Sequence, residues 1–296
     1  MRALIERQPV WPVVFAVDRR RFLKYALGTA VVAPLLATGY AVGIEPHWVQ
    51  YRRVRLPLPG LPASLDGATL VQFSDLHVGP RVSDAYLRGV FRAVAGLKPD
   101  LVVVTGDFIS FDGGACLGQL TDVLRNFPRG RLGGFAVLGN HDYGLGWREG
   151  NVAAEVSARA SAAGLRVLRN QVAEVEGLRL VGLDDLWARR FVPGQCRAAL
   201  DAPGPCLALT HNPDTADAEG WGRYRGWILA GHTHGGQCRP PFLPPPLLPV
   251  KNLRYVAGEV PLADGRQLYI NRGLGHLLRA RFAVRPEVTV FTLRAA

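Results

Sequence analysis

The sequence of 296 residues predicts a layered α/β fold. Short apolar runs alternate with helix-like segments over most of the chain, and this alternation is typical of sheets covered by helices. The pattern changes after Gly265, where two further apolar runs, 266–273 and 287–294, are joined by turns. These last two runs predict an antiparallel sheet that closes the domain. The sequence contains no internal repeat.

Six apolar runs are the predicted strands of the main part of the fold. They lie at 68–74, 100–106, 134–139, 178–183, 206–210 and 226–231. Helix-like segments lie between the first three runs, and one of them, 83–97, begins with Ser83 as a candidate N-cap. Prolines exclude regular structure from the segment 239–252.

The first 46 residues carry a targeting pattern that precedes the predicted domain at 56–296. Arg19 to Arg21 and Lys24 come before a run without charge, 25–44, which is long enough to cross a bilayer as a helix. The string RRRFLK also resembles the twin-arginine export signal. We expect residues 1–46 to be such a signal or an uncleaved anchor in a bacterial inner membrane. The domain would then lie on the periplasmic side, with the cytoplasmic face as the alternative. A buried globular helix is the alternative interpretation.

The net charge of +11 does not indicate a nucleic-acid partner. Residues 1–55 contain nine Lys and Arg and three Asp and Glu, a net of +6, so more than half of the excess lies in the first fifth of the chain. A nucleic-acid groove requires basic clusters interleaved with aromatic residues. The sequence contains no such stretch, so we expect no nucleic-acid binding. The sequence also does not indicate an oligomeric state.

The four cysteines show neither the paired spacing nor the ribbon spacing of a zinc site. Cys196 and Cys206 flank a turn and could form a disulfide in an exported domain. Buried thiols are the favoured interpretation.

Polar side chains of metal-binding types follow five of the predicted strands. They are Asp75 and His77, then Asp107, then Asn140 and His141, then His211, and finally His232 and His234. Five of the seven histidines are among them. Because sites in open α/β sheets form at the carboxyl ends of the strands, we expect these side chains to converge.

This ligand set of carboxylates, imidazoles and an amide oxygen, without thiolate, favours Mn²⁺, Fe or Zn²⁺. Seven candidate ligands are more than one ion needs: Asp75, His77, Asp107, Asn140, His211, His232 and His234. We therefore predict two ions that share one carboxylate, an arrangement suited to displacement at phosphorus. Gly106, Gly139 and Gly231 are expected to allow unusual backbone angles and to keep Cβ atoms away from the site.

The ordered motifs DLH, GD, GNHD, THNPD and GHTHGGQ resemble those of the calcineurin-like metallophosphoesterase superfamily. The resemblance covers about 68–237 and implies a two-sheet sandwich with helices outside, a four-layer α/β/β/α arrangement. Within the superfamily, the chain is similar to the membrane- or export-associated phosphodiesterase branch, which has the same targeting pattern, proline-rich loop and C-terminal NRGLG segment.

The resemblance implies a role for each matching residue. Asp75, His77 and His234 would bind one ion, Asn140, His211 and His232 the other, and Asp107 would bridge both. A hydroxide between the ions would attack phosphorus. His141 would donate a proton to the leaving oxygen or stabilise charge in the transition state, and Asn140 would also contact a phosphoryl oxygen.

The sequence departs from the family pattern at Ser110. Many relatives read GDxxD, and their second Asp orients the catalytic histidine, whereas this chain reads GDFISFD. Asp112, Asp142 or no carboxylate at all could take that place. Asp184 and Asp185 also follow a predicted strand, either in a supporting role or as a turn.

The proline-rich segment is the main sequence signal for the substrate. Phe242, Leu243, Leu247 and Leu248 form an apolar loop, followed by Lys251 and Arg254. Such loops enter bilayers or hold acyl chains, although a rigid cover packed on the core is an equal alternative. We therefore expect a lipid-linked phosphodiester or pyrophosphate substrate.

Three other functions remain open from the sequence. The first is cleavage of UDP-2,3-diacylglucosamine in lipid A synthesis, which takes place on the cytoplasmic face. The second is a broad exported phosphodiesterase or phosphatase. The third is a membrane-tethered metal- or ligand-binding protein with a weakened site.

Overall fold

The computed structural model describes residues 18–110 and 113–296. The chain divides into two compact units, Met1–Tyr40 and Ala41–Ala296. The first unit contains helix α1 (Arg19–Gly39), where the Asp18 side chain caps the backbone N–H of Arg20. The helical stretch Arg19–His47 is long and apolar enough to cross a membrane. Signal sequences share this length and composition.

Within the described residues, the second unit contains twelve strands in two sheets. The first sheet is formed by β1 (Gln50–Leu58), β2 (Thr69–Phe73), β3 (Leu101–Thr105), β4 (Gly133–Val137), β5 (Leu165–Val167) and β12 (Glu287–Ala295). The second is formed by β6 (Gln171–Val175), β7 (Leu178–Gly182), β8 (Cys206–Leu209), β9 (Trp227–Ala230), β10 (Gly258–Pro261) and β11 (Gln267–Ile270). Their orders are β1-β12-β2-β3-β4-β5 and β10-β11-β9-β8-β7-β6.

In the part of the second unit that the structure describes, four helices lie outside the two sheets. Helices α2 (Asp84–Ala95), α3 (Ala115–Leu124) and α4 (Gly150–Ala162) pack on the first sheet, and α5 (Arg197–Asp201) packs on the second. Buried side chains form one core under the first three helices, one between the sheets and one outside the second sheet. This arrangement confirms the predicted four-layer α/β/β/α fold. Cys196 and Cys206 are buried thiols in the third core.

The central strands are apolar throughout because both of their faces are buried. On β3, Leu101 and Val103 face the core between the sheets, whereas Val102 and Val104 face the helices. Strands buried on both sides read as continuous apolar runs. All six predicted strands are observed, with boundaries within two residues of those expected. The proline-rich segment 239–252 contains neither helix nor strand.

The predicted antiparallel closing sheet is wrong, because its two strands belong to different sheets. Strand β11 pairs with β9 in parallel and with β10 in antiparallel orientation. Strand β12 pairs with β2 in antiparallel orientation and with β1 in parallel. Strand β1 starts at Gln50, before the expected domain start at residue 56. Its partner lies at the other end of the chain, and no local pattern records such a pairing.

The two sheets are tied together directly behind the edge where the candidate ligands lie. The buried side-chain amide of Gln72 on β2 donates to Thr105 Oγ1 on β3 (2.9 Å) and to the carbonyl oxygen of Ala230 on β9 (3.0 Å). The carboxyl ends of β2, β3 and β9 are therefore held close together. Loops from both sheets consequently contribute to one site.

Candidate metal centre

Six of the candidate ligands form two buried groups of three. In each group the ligand atoms lie within 4.8 Å of one another: Asp75, His77 and His234 form the first group, and Asp107, His211 and His232 the second. In the first group, His77 Nε2 lies 3.0 Å from His234 Nε2. In the second, His211 Nε2 lies 3.0 Å from His232 Nδ1. Ring nitrogens thus face one another in both groups.

Asp107 belongs to the second group but also faces the first. Its Oδ2 is 3.6 Å from His77 Nε2 and 3.2 Å from His211 Nε2. Its Oδ1 accepts a hydrogen bond from the backbone N–H of His141 (3.0 Å). One carboxylate oxygen therefore faces both sets of ligands, while the other fixes the orientation of the carboxylate.

Several buried polar atoms at this edge have no hydrogen-bond partner within the described part of the chain. They are Oδ1 and Nδ2 of Asn140, Nε2 of His232 and Nδ1 of His234. Buried polar atoms are rarely left unpaired, because burial without a partner costs free energy. Unpaired atoms beside two ligand groups are the arrangement expected where a bound species completes the site.

The charge state of the first group favours a cation. Burial raises the pKa of Asp75, but nearby His234 and His211 lower it by a larger amount. The net pKa is below the usual range, so the carboxylate is ionised. Burial holds the pKa of His77 well below its usual range. The group therefore combines an anionic carboxylate with a neutral imidazole, the form that binds metal.

The second group also contains an anionic carboxylate and a neutral imidazole, but its other imidazole differs. His211 and His141 hold the pKa of Asp107 well below its usual range against the effect of burial. Burial lowers the pKa of His232 to about 3. Burial also opposes protonation of His211, but Asp107 raises its pKa to about 10, so a cation bound there would take the place of that proton. The residues present fit two divalent cations.

Five of the candidate ligands have a left-handed backbone. The φ angles are 51° at Asp75, 48° at His77, 55° at Asp107, 71° at His232 and 50° at His234. Residues other than glycine rarely adopt this region, at a cost on the order of 1–3 kcal/mol each, and such strain concentrates at functional sites. The surrounding hydrogen bonds hold these loops in an unfavourable backbone conformation that directs the ligand atoms inward.

The sequence predicts that the three glycines before the ligands allow unusual backbone angles and keep Cβ atoms away from the site. Only one of the three has an unusual backbone angle. Gly106 has a positive φ of 89°. Gly139 has a φ of −104°, and the φ of Gly231 is not positive either. The expectation of unusual angles is therefore wrong for the last two. A Cβ atom would collide with Asp107 Oδ1 at Gly139 and with Ser74 Oγ at Gly231. These two glycines permit close approach.

Asp142 does not orient His141. Its Oδ1 accepts hydrogen bonds from the backbone N–H groups of Phe108 (2.8 Å) and Ile109 (3.2 Å), and its Oδ2 accepts one from Gly139 (2.9 Å). Burial raises its pKa well above the usual range. Asp142 therefore holds the loop after Asp107 against the loop of His141.

Ser110 contacts a different histidine from the one that the resemblance implies. Its Oγ lies 3.0 Å from Nδ1 of His77. Asp112, the other candidate, lies outside the described residues. The ring of His141 packs in T-shaped contact against His77 and Trp147, with centroids 5.2 Å and 6.2 Å away.

Two tryptophans that the sequence analysis missed form one side of the site. The rings of Trp147 and Trp187 stack 4.8 Å apart, and Trp187 meets the ring of His232 edge-on at 4.4 Å. Asp185 Oδ1 accepts from the backbone N–H of Ala188, so Asp185 forms the turn that presents Trp187. Both tryptophans follow strand-end motifs, which is the signal that could have identified them.

Arg281 is a third residue that the sequence did not reveal. It is fully buried, and its guanidinium donates to the carbonyl oxygens of Arg272, Gly273 and Gly275. This turn packs directly against Asp75, where a Cβ atom at Gly273 would collide. Arg281 therefore supports the first ligand group from behind.

The ligand groups open into a cavity of about 580 Å³. Asp107, Asn140, His141, His232 and His234 form its floor. Its walls are apolar and include Trp147, Trp187, Leu247, Leu248, Leu277 and Leu278. The cavity thus brings the metal-binding side chains together with part of the proline-rich segment.

A four-layer fold in which two groups of metal-binding side chains share one carboxylate defines a dimetal hydrolase class. Residues 68–236 match the profile of the calcineurin-like phosphoesterase family, and the chain belongs to that family. It is therefore a metal-dependent hydrolase of phosphoric esters.

The chain is similar to relatives of nearly the same length. It is 34% identical over 290 residues to phosphodiesterase YaeI of Escherichia coli, covering 94% of this chain and 99% of that protein. It is 30% identical over 321 residues to UDP-2,3-diacylglucosamine pyrophosphatase LpxG of Chlamydia muridarum, covering 90% and 95%. A dimetal phosphatase structure from Danio rerio shares the fold, with a TM-score of 0.52 and 12% identity over 77% of this chain and 99% of that one.

Proposed function

We propose that the protein hydrolyses a phosphodiester or pyrophosphate bond in a lipid-linked substrate at a membrane surface. The observation that carries this proposal is the position of Asp107 between two ligand groups on the floor of an apolar cavity. Two bound divalent cations would supply an activated water and neutralise charge on the phosphoryl oxygens. Mn²⁺, Fe and Zn²⁺ all suit these ligands.

The chain's own residues take distinct roles in this proposal. Asp75, His77 and His234 would hold one cation and Asn140, His211 and His232 the other, while Asp107 would contact both. The backbone carbonyl of Thr105 lies 2.7 Å from His211 Nδ1. It accepts the proton on that nitrogen, which leaves Nε2 free for the cation. The amide of Asn140 also contacts a phosphoryl oxygen.

His141 is the proposed proton donor to the leaving oxygen. Its ring is half-buried in the cavity floor and belongs to neither group of three. A positioned acid of this kind contributes roughly 10²- to 10⁴-fold to the rate.

An apolar rim around the cavity supports a lipid-linked substrate. Leu247 and Leu278 line the cavity, and Phe242, Leu243 and Leu253 lie in or next to the proline-rich segment. All five side chains are 61% to 105% exposed. This exposure argues against a cover packed on the core. Exposed Arg239, Lys251, Arg254 and Arg279 lie within the same segments, so apolar side chains can meet acyl chains while bases meet phosphate groups. The similarity to a UDP-2,3-diacylglucosamine pyrophosphatase favours the same substrate class.

Replacing Leu247 and Leu278 with Gln separates lipid recognition from catalysis. Because burying a leucine contributes about 1.5–3 kcal/mol, we expect kcat/KM on UDP-2,3-diacylglucosamine to fall roughly 10-fold or more for each side chain. Turnover of soluble bis(p-nitrophenyl) phosphate should stay within about two-fold of wild type. Both substrates are assayed with metal-reconstituted protein.

Leu97→Gln is the matched control, because exposed Leu97 precedes β3 at the opposite end of the strands. An equal loss on both substrates, or a wild-type preference for the soluble diester, would contradict lipid linkage. The second outcome would favour a broad phosphodiesterase, the activity named for the Escherichia coli relative.

We further propose that residues 1–46 export or anchor a catalytic domain at 56–296 on the periplasmic side. Support comes from the apolar helix and from the basic residues Arg19 to Arg21 at its start. In a bacterial host, protease added to spheroplasts should digest the wild-type protein, whereas the double variant R19K/R20K should be retained inside and protected. Equal protection of both proteins would instead place the site on the cytoplasmic face.

A further inference from the structure

Ser110 is held beside His77 by backbone pairing between two loops. The backbone N–H of Val78 donates to the carbonyl of Phe108 (2.9 Å), and that of Ser110 donates to the carbonyl of Val78 (3.0 Å). Ser110 is buried, with 4% of its surface exposed. The position of its hydroxyl, 3.0 Å from His77 Nδ1, is therefore fixed by the main chain.

The opposite nitrogen of the same ring faces the first ligand group. His77 Nε2 lies 3.0 Å from His234 Nε2, 3.6 Å from Asp107 Oδ2 and 4.0 Å from Asp75 Oδ1. A neutral imidazole carries its proton on one nitrogen only. If Nε2 binds a cation, the proton must lie on Nδ1, where the Ser110 hydroxyl accepts it.

We infer that Ser110 is a positioning residue for the cation of the first ligand group, acting through His77. Its hydroxyl accepts the Nδ1 proton of the metal-binding tautomer and holds the ring so that the Nε2 lone pair points at the cation. This inference rests on the proposed two-cation function. It makes Ser110 the hydrogen-bond partner of His77, a metal ligand. The motif position of Ser110 implies instead a partner of His141, the proton donor.

The two ligand groups are consequently supported in different ways. In the second group, the Nδ1 proton of His211 is accepted by a backbone carbonyl, that of Thr105. In the first group, the acceptor is a side-chain hydroxyl, which substitution can remove. A neutral hydroxyl polarises the imidazole less than a carboxylate would. Loss of the hydroxyl should therefore weaken the binding of the first group's cation and leave the binding of the other cation unchanged.

Calorimetric titration of the full chain with Mn²⁺ tests this selectivity. Wild type should bind two ions, and Ser110→Ala should lose roughly 10- to 100-fold in affinity for one of them, the usual effect of removing a ligand's hydrogen-bond partner. Ser110→Thr should keep the wild-type affinity and Ser110→Val should lose it, since threonine and valine differ mainly by the hydroxyl. Ser157→Ala, which removes a hydroxyl bonded within α4, is the control.

Nitrogen-15 NMR of the zinc-loaded protein gives a readout that is independent of affinity. A protected Nδ1–H signal from His77 should be present in wild type and Ser110→Thr and lost in Ser110→Val. Equal affinities and an unchanged signal in Thr and Val variants would overturn the inference while leaving the two-cation proposal intact. Wild-type protein that binds no Mn²⁺ would instead overturn the proposed function.

Discussion

Replacing Asp107 with Asn is expected to abolish turnover and to release at least one of the two cations. The asparagine amide oxygen can still accept the hydrogen bond that Asp107 Oδ1 accepts from the backbone of His141. The substitution therefore removes the charge and the oxygen that faces both ligand groups, and little else. Because metal ions stabilise charge at phosphorus by several kcal/mol, the rate should fall by about three powers of ten or more.

The measurements are metal content per chain, turnover and melting temperature. Asp122→Asn makes the same chemical change at an exposed position of helix α3 and should alter none of them. A folded Asp107→Asn protein that retains two cations per chain would show that this carboxylate does not join the two groups. Retention of wild-type turnover would remove it from catalysis.

Replacing His141 with Ala should have the second-largest effect, and its signature is different. The side chain belongs to neither group of three, and the contact with Asp107 is made by the backbone N–H, which alanine retains. Both cations should therefore remain bound. Turnover should fall roughly 10²- to 10⁴-fold, the usual contribution of a positioned acid.

The leaving group distinguishes between the two roles open to His141. A proton donor matters most when the leaving oxygen is basic, so the loss should be large for an alkyl diester and small for a p-nitrophenyl diester. Equal losses on both substrates would assign the ring to charge stabilisation instead. Unchanged rates would exclude it from the mechanism, and exposed His47→Ala serves as the control.

Much of the fold and the identity of the ligands follow from local sequence. Strands buried on both faces are apolar throughout, so β3 and β9 are recognisable without their neighbours. Polar residues that directly follow such strands, such as Asp107 and His232, are drawn to one edge by the sheet itself. The convergence of five loops is therefore predictable from the chain.

The remaining features depend on contacts between distant segments. Strand β1 pairs with β12, which lies more than 200 residues later in the chain. The two C-terminal strands belong to different sheets. The contact of Ser110 with His77 depends on how two loops pair. The stack of Trp147 on Trp187 depends on side-chain orientation. No spacing rule in the sequence predicts any of these four relationships.

Anomalous diffraction from crystals grown with Mn²⁺ would test the paired cation site most directly. We predict two peaks, one beside His77 and one beside His211, with an oxygen of Asp107 within coordination distance of each. A single peak at saturating Mn²⁺, or two peaks of which only one touches Asp107, would contradict the account.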